Sequence, residues 1–420
     1  MVKFIGRILC LCLTSLYFFP VTLNGMPFNV NSKLAMAVIG IPVLIYNLSK
    51  SSDLKIGSDF ISGLGFACGV SLATYFSVVV NGTQDYTYVT YVVSMAVWTS
   101  AAYLWLHVIR WVHGYLDLKL IVWYLMIMCT LQCILALAID MNSEVQQFVD
   151  RYYSDAAFFH EKNRMYGFGC GLDVAGGRFS AVLVMIAYLL YKDSSNATGW
   201  LIALYMICFI IISVVGNMIG RTTTIGMLLG IMILVYSFLI KDASIKYIRL
   251  VIGLVAVFTL IAVILYNSDM KWRDNLEFGF EGFFSLVEKG KWEVSSNEML
   301  KEGFIYPDNI KTWLIGDGYF DEPISTNPYY VGPDFYGYYM GTDSGYSRFL
   351  FYFGALGLLM FSAFFINIAR VCANTLVNYK SMFWILLLLN FIIWVKVSTD
   401  IYVTIAPFFC LGLMNQLEQE

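Results

Sequence analysis

Three arginines stand at the openings of apolar stretches: Arg178 before Phe179, Arg221 in the run Gly220-Arg221-Thr222-Thr223-Thr224, and Arg348 after Gly345-Tyr346-Ser347. A helix that starts at such a point presents unpaired amides and about half a positive charge, so a cation in its first turn is unfavourable unless an anion lies beside it. A phosphate or pyrophosphate at a membrane surface resolves the conflict, because the guanidinium offers paired N–H donors while the helix offers amide dipoles. Snorkelling toward lipid headgroups explains any one of these arginines equally well. Arg221 is the most specific, since its loop is too short to have another purpose. Arg164, Arg151 and Arg273 are weaker candidates that loop salt bridges would also accommodate. Of these, Arg164 is grouped with Arg178, Arg221 and Arg348 as a candidate pyrophosphate ligand.

A second set of residues suits sugar. Tyr329, Tyr330, Phe335, Tyr336, Tyr338, Tyr339 and Tyr346 are interleaved with Gly332, Gly337, Gly341 and Gly345. Rings with hydroxyl tips match sugar faces, which present both C–H patches and hydroxyls, although an interfacial aromatic belt would use the same residues. Tyr336, Tyr338, Tyr339 and Tyr346 are the candidate glycan contacts, joined by His160, which of the three histidines is the one on an outward segment. Asp343, in Gly341-Thr342-Asp343-Ser344-Gly345-Tyr346, lies five residues before Arg348. A carboxylate at the bilayer rim can take a proton from an acceptor hydroxyl, since partial desolvation raises its pKa; as an aspartate near a helix start it equally fits a cap.

Absences narrow the chemistry. No GxxxxGK[ST] run is present, which argues against ATP hydrolysis, and no Asp-x-Asp pair is available to hold a metal on a nucleotide-sugar diphosphate. No cofactor is expected. His107 and His113 flank the inward loop at Arg110 and read as solvated interface residues. Eight of the nine cysteines lie in apolar runs, where cysteine is a small hydrophobe, and only Cys170 falls in a polar loop, so no disulfide framework follows.

These candidates need elements to hold them. The chain of 420 residues is 59% hydrophobic and 13% charged, with a mean hydropathy of +0.70, against about 45–50% apolar and about 25% charged in soluble domains. An ordinary soluble enzyme is excluded, because most of this surface needs lipid to cover it. The net charge of −3 offers nucleic acid no general attraction. A spanning helix takes about 20 apolar residues, and twelve runs qualify, near 4–21, 34–48, 60–80, 87–107, 120–139, 178–191, 199–216, 222–240, 250–267, 347–369, 382–395 and 399–414. With the N-terminus inside, short inward loops hold twelve Lys and Arg and short outward loops three, a positive-inside asymmetry that predicts two cytoplasmic termini.

The reading is thus all-α, a single polytopic domain over residues 1–420 with two long outward segments, 140–177 and 268–346. Long ordered connections are where binding is sought. In the second, Ser295 with Glu298 reads as a capping box, and Phe278, Phe280, Phe283, Phe284 and Leu286 as a helix on the membrane surface.

The twelve spans, the long loop before the tenth, and the run Gly316-Asp317-Gly318-Tyr319 followed by Thr342-Asp343-Ser344-Gly345-Tyr346, Gly354 and Gly357-Leu358-Leu359 resemble bacterial O-antigen polymerases, of a superfamily shared with O-antigen ligases. The sequence-specific part covers roughly residues 312–360 and the Gly220-Arg221-Thr222 turn. Ligases end the long loop in His-Asn-x-Tyr with a glycine eleven positions after the histidine; eleven before Gly354 stands Asp343, with Tyr346 in the tyrosine place. The resemblance implies a metal-independent inner-membrane glycosyltransferase of GT-C-like architecture. It implies an undecaprenyl-pyrophosphate-linked oligosaccharide as donor and a second as acceptor, in contact with membrane lipid, a chain-length regulator and a flippase, and with no nucleic acid. Arg221 would grip the lipid pyrophosphate and Asp343 would orient or deprotonate the acceptor hydroxyl. The alternatives are an O-antigen ligase and a lipid-linked oligosaccharide flippase, though spans almost free of charge argue against a transporter.

Overall fold

The computed structural model describes residues 2–24, 30–50, 58–161, 164–193, 198–240, 245–268, 270–295, 304–321 and 338–418. Among them every regular element is helical, and β-pairing is limited to isolated bridges such as Thr22 with Asn31. Each of the twelve apolar runs falls on a helix. Seven helices are long and apolar enough to cross a membrane: Asp59–Asn81, Tyr91–His113, Leu118–Met141, Leu172–Lys192, Gly199–Ile219, Gly345–Thr375 and Val377–Lys396. Four further apolar stretches, Ser32–Asn47, Thr223–Ser237, Ile252–Ser268 and Tyr402–Met414, are helical but shorter. The chain is read as a membrane protein on this basis. Glu298 of the capping box and the aromatic residues from Tyr329 to Tyr336 lie outside the described residues.

The chain divides into two compact units. Unit 1 comprises Met1–Asn47, Thr99–Trp292 and Val403–Leu411; unit 2 comprises Leu48–Trp98, Glu293–Tyr402 and Gly412–Glu420. At the centre of unit 1 the helix Leu172–Asp193 is buried from Phe179 to Leu190. Small residues let the helix Thr223–Ile240 approach it backbone to backbone: a Cβ on Gly226 would stand 2.1 Å from the Ser180 Cα. The Ser180 hydroxyl then bridges the seam, donating to the Thr222 carbonyl at 2.8 Å and accepting from the Gly226 amide at 3.0 Å. Without a hydrophobic drive between helices in lipid, such close van der Waals contact with polar stitching holds the pair.

The first long segment is largely helical, with Ser143–Tyr152 and Ala156–Glu161 inside it. Asn142 caps the former, its side-chain oxygen accepting from the Glu144 amide at 2.8 Å. A cluster of Val21, Ile139, Val149, Tyr153, Ala156, Phe159 and Tyr166 anchors the segment. The next long helix starts at Leu172, six residues before Arg178. In the second segment Met270–Gly279 and Glu281–Lys289 are two helices that break at Phe280, where the phenylalanine pattern predicts one.

Unit 2 is built around the helix Gly345–Thr375, which breaks at Gly354, where φ is +65° and ψ −172°. A Cβ there would meet the Leu314 carbonyl and the Ile315 amide at 2.4 Å, so glycine is needed both for its backbone freedom and for its lack of bulk. The break frees the carbonyls of Phe351 and Tyr352, and the amides of Asp317 and Gly318 take them at 2.5 and 3.1 Å. The Gly316-Asp317-Gly318 run and Gly354 are therefore two halves of one joint.

Candidate functional site

In unit 1 the turn Gly220-Arg221-Thr222 feeds directly into the helix Thr223–Ile240. A Cβ on Gly220 would lie 2.3 Å from the Leu172 carbonyl, so the turn is pinned against the start of the neighbouring helix. Thr222 donates from its hydroxyl to Asp173, which fixes the turn a second time. The Arg221 side chain, 13% exposed, donates through Nη1 to Glu281. Its guanidinium lies 4.6 Å from the centre of the Phe278 ring, and the Arg164 guanidinium lies 4.0 Å from the centre of the same ring. Two cations thus share one aromatic platform, which the helix Met270–Gly279 carries. Burial and the Arg221 charge pull the Arg164 guanidinium below its ordinary pKa, while Asp173 and Glu281 oppose the shift. An added anion would relieve that repulsion. Planar guanidinium groups on a ring face keep their edge N–H donors available for the paired contacts that a phosphate accepts.

Arg178 is not at a helix opening. Because the helix starts at Leu172, Arg178 is almost two turns inside it, buried, with its guanidinium 5.7 Å from the Phe19 ring and 6.0 Å from the Phe18 ring. The argument from a helix's first turn fails for Arg178, since the terminal amides are spent by then.

Arg348 lies in unit 2 and is only 5% exposed. It donates to the Ser398 hydroxyl at 2.6 Å, to Asp321 at 2.7 Å and to the Phe320 carbonyl at 3.2 Å. The rings of Phe320 and Tyr338 sandwich it, each centre 3.7 Å away. Its Nε and the hydroxyls of Ser344 and Ser347 are buried without partners. Asp343 is exposed on the chain just before that helix, close enough to Arg348 to act on its charge. The N-cap position is Ser344, one residue after Asp343, and the Ser344 side chain makes no capping bond.

Among the described residues of unit 2, the candidate tyrosines each meet different partners. Tyr338 is half-exposed over Arg348; Tyr339 packs against Tyr319 and Phe351, at 5.5 and 5.9 Å; Tyr346 turns inward, donating to the Phe391 carbonyl at 3.0 Å. Tyr336 lies outside the described residues. His160, in unit 1, is hydrogen-bonded to Asp150 at 2.8 Å and to Gln146 at 3.2 Å. Among the described residues no three His, Cys, Asp or Glu side chains gather as a metal site requires.

Glu281 and Asp150 were not distinguished by sequence reasoning, and Phe278 was seen only as part of a surface helix. Nothing local marks these roles, since Glu281 pairs with Arg221 across 60 residues. Comparison with known proteins returns no match to a protein family, to a functionally described protein or to a solved structure.

Proposed function

We propose that the protein is a membrane glycosyltransferase that joins lipid-linked oligosaccharides, an O-antigen polymerase or a polymerase of a related surface polysaccharide. The single observation that carries the proposal is the guanidinium pair of Arg164 and Arg221 on Phe278, at the head of an apolar helix. A cationic pair there suits a lipid whose head is a phosphate or pyrophosphate, since the tail follows the apolar helices while the charge stays at their ends. The pyrophosphate is donor handle and leaving group at once: the arginines hold it, then stabilise the charge that develops as the glycosyl bond breaks. In this role the phosphate displaces the Glu281 carboxylate from Arg221. The resemblance around residues 312–360 and the Gly220-Arg221-Thr222 turn supports the sugar-transfer reading.

On this reading the chain crosses the inner membrane twelve times with both termini in the cytoplasm, and the two long segments face the periplasm. A reporter fused after Ile240 should be cytoplasmic and one fused after Trp292 periplasmic; a periplasmic signal from the first would overturn the span count. Deleting the gene in its host and running lipopolysaccharide on a gel tests the reaction. Caps of a single repeat unit mean a polymerase. Loss of all surface units with polymer still on the lipid carrier means a ligase, and accumulation of lipid-linked units inside the cell means a flippase.

A further inference from the structure

We propose that His160, oriented by Asp150, is the group that takes the proton of the acceptor hydroxyl; the assignment rests on the sugar-transfer reading above. Nε2 of His160 lies 2.8 Å from one Asp150 oxygen and 3.1 Å from the Tyr166 hydroxyl, whose own hydrogen goes to the other Asp150 oxygen at 2.5 Å. A carboxylate only accepts, so Nε2 carries the ring hydrogen. The lone pair is then on Nδ1, which faces the Gln146 amide nitrogen at 3.2 Å. An ionised carboxylate behind the ring also stabilises the imidazolium that forms when Nδ1 takes a proton.

The group is rigid on one side and exchangeable on the other. Tyr166 is 3% exposed and stacks on Phe159 with ring centres 5.1 Å apart, over the cluster that anchors the first long segment. The imidazole itself is 40% exposed, and an incoming hydroxyl that reaches it takes the place of the half-buried Gln146 amide. Preorganisation of this kind, a ring held from behind by a carboxylate and met in front by one exchangeable amide, is what proton transfer asks of a side chain.

The dyad also belongs to the same local structure as the anion site. The Arg164 amide donates to the Phe159 carbonyl at 3.0 Å, so the backbone at Arg164 folds back beside that at His160. From this one loop the imidazole reaches Asp150, and the Arg164 guanidinium reaches Phe278 beside Arg221. Of the three histidines, His160 has the carboxylate partner; His113 instead meets the Tyr124 hydroxyl at 2.7 Å.

In the step inferred, the acceptor oxygen forms a bond to the anomeric carbon of the donor sugar. The bond from that carbon to the pyrophosphate oxygen breaks, and its electron pair leaves with the pyrophosphate. The acceptor's proton passes to His160 Nδ1 and is later released to water. No oxidant, reductant or further reactant is needed.

The test is transfer by the purified full-length protein in lipid nanodiscs, given a synthetic undecaprenyl-pyrophosphate oligosaccharide as donor and acceptor. His160→Ala should slow turnover roughly 100-fold or more, and Asp150→Asn at least about tenfold. Melting and donor retention should stay at parental values, and free imidazole should restore part of the His160→Ala rate. A parent without activity, or an Arg221→Ala protein that transfers normally, would overturn the sugar-transfer reading itself. An active parent whose His160→Ala variant keeps its rate within twofold would overturn only the role of His160. A loss that imidazole does not restore but that His160→Gln repairs would also overturn it, by assigning the ring a structural role.

Discussion

Unit 1 and unit 2 each place an arginine at the opening of an apolar helix, each paired with one carboxylate, and the two differ in how the rest of the guanidinium is surrounded. Arg348 is closed: two rings cover its faces, Asp321, Ser398 and the Phe320 carbonyl occupy its terminal nitrogens, and it is almost wholly buried. Arg221 is less deeply buried, its side chain 13% exposed. It shares one ring with a second cation, and its carboxylate partner Glu281 is one-third exposed on the first turn of a surface helix. The difference teaches that an arginine at a helix start is a candidate anion site only if its guanidinium is within reach of an incoming anion and shares its surroundings with a second cation. A guanidinium buried between two rings and tied through both terminal nitrogens has become a structural clamp.

The largest expected effects test that contrast directly. Arg221→Ala should reduce polymer formation by roughly two orders of magnitude or more while the protein still folds, and Arg221→Lys should recover little, because a point charge cannot replace the paired donors. Near-normal chain length for Arg221→Ala at normal expression would erase the distinction. Arg348→Ala should fail differently, by loss of folded protein. Breaking a buried pair costs roughly 3–5 kcal/mol, and because Asp321 is half in water the expected loss lies at the low end of that range. Melting in detergent and recovery of monodisperse protein are the measurements. An Arg348→Ala protein that melts normally yet transfers no sugar would move the reaction to unit 2 and Asp343.

A smaller effect should appear when the counter-ions are neutralised. If Glu281 holds the place of a phosphate, Glu281→Gln should tighten donor binding several-fold, by removing a competing anion from Arg221. Asp321→Asn in unit 2 should leave donor binding unchanged. Titration with a fluorescent lipid pyrophosphate separates the two, and weaker binding by Glu281→Gln would make Glu281 a positioning residue instead.

How much of this was legible in the sequence depended on the distance over which each feature is determined. Apolar runs announce themselves by composition, so every one of them falls on a helix. The Arg221 turn was visible for a similar reason, as a short polar break between two long apolar stretches. Arg178 misled because Leu172-Asp173-Val174-Ala175-Gly176-Gly177 reads as loop, with paired glycines that break helices. Tertiary packing overrides that preference. A Cβ on Gly176 would stand 3.0 Å from the Gly220 carbonyl, so the glycine is where two backbones meet. The Gly316-Asp317-Gly318 run was legible as a pattern, yet its purpose, to fill the break at Gly354, needed the two segments side by side. The Phe278 platform and Asp150 were illegible, since each acts through a partner set by the fold.

The smallest effect, and the one that separates the units by sign, is the response to acid. In unit 1 Glu277, next to the platform residue Phe278, accepts from Arg273 and from Tyr266, both at 2.8 Å. These bonds hold its carboxyl below the ordinary value of 4.5. A group whose folded pKa is depressed contributes stability above its unfolded value and loses it as pH falls through the folded one. The tie between the helices Met270–Gly279 and Ile245–Ser268 should therefore loosen as pH drops below about 4.5. In unit 2 partial burial pushes the Asp321 carboxyl above 3.8 against the pull of Arg348, with the nearby Asp85 charge adding to the rise. There the folded state binds the proton first, so acid between the folded value and 3.8 should stabilise. Both carboxylates are substantially exposed, and water screens each contribution to a melting shift of about 1 °C or less. A global melt would average the two, so the measurement is hydrogen exchange of the amides in 270–279 and 338–348 between pH 6 and pH 4. Protection should fall in the first stretch and rise in the second. Glu277→Gln should abolish the first response and Asp321→Asn the second. If both stretches respond with the same sign, the two units do not differ in how their charges are held, and the reading of unit 1 as the anion site loses this support.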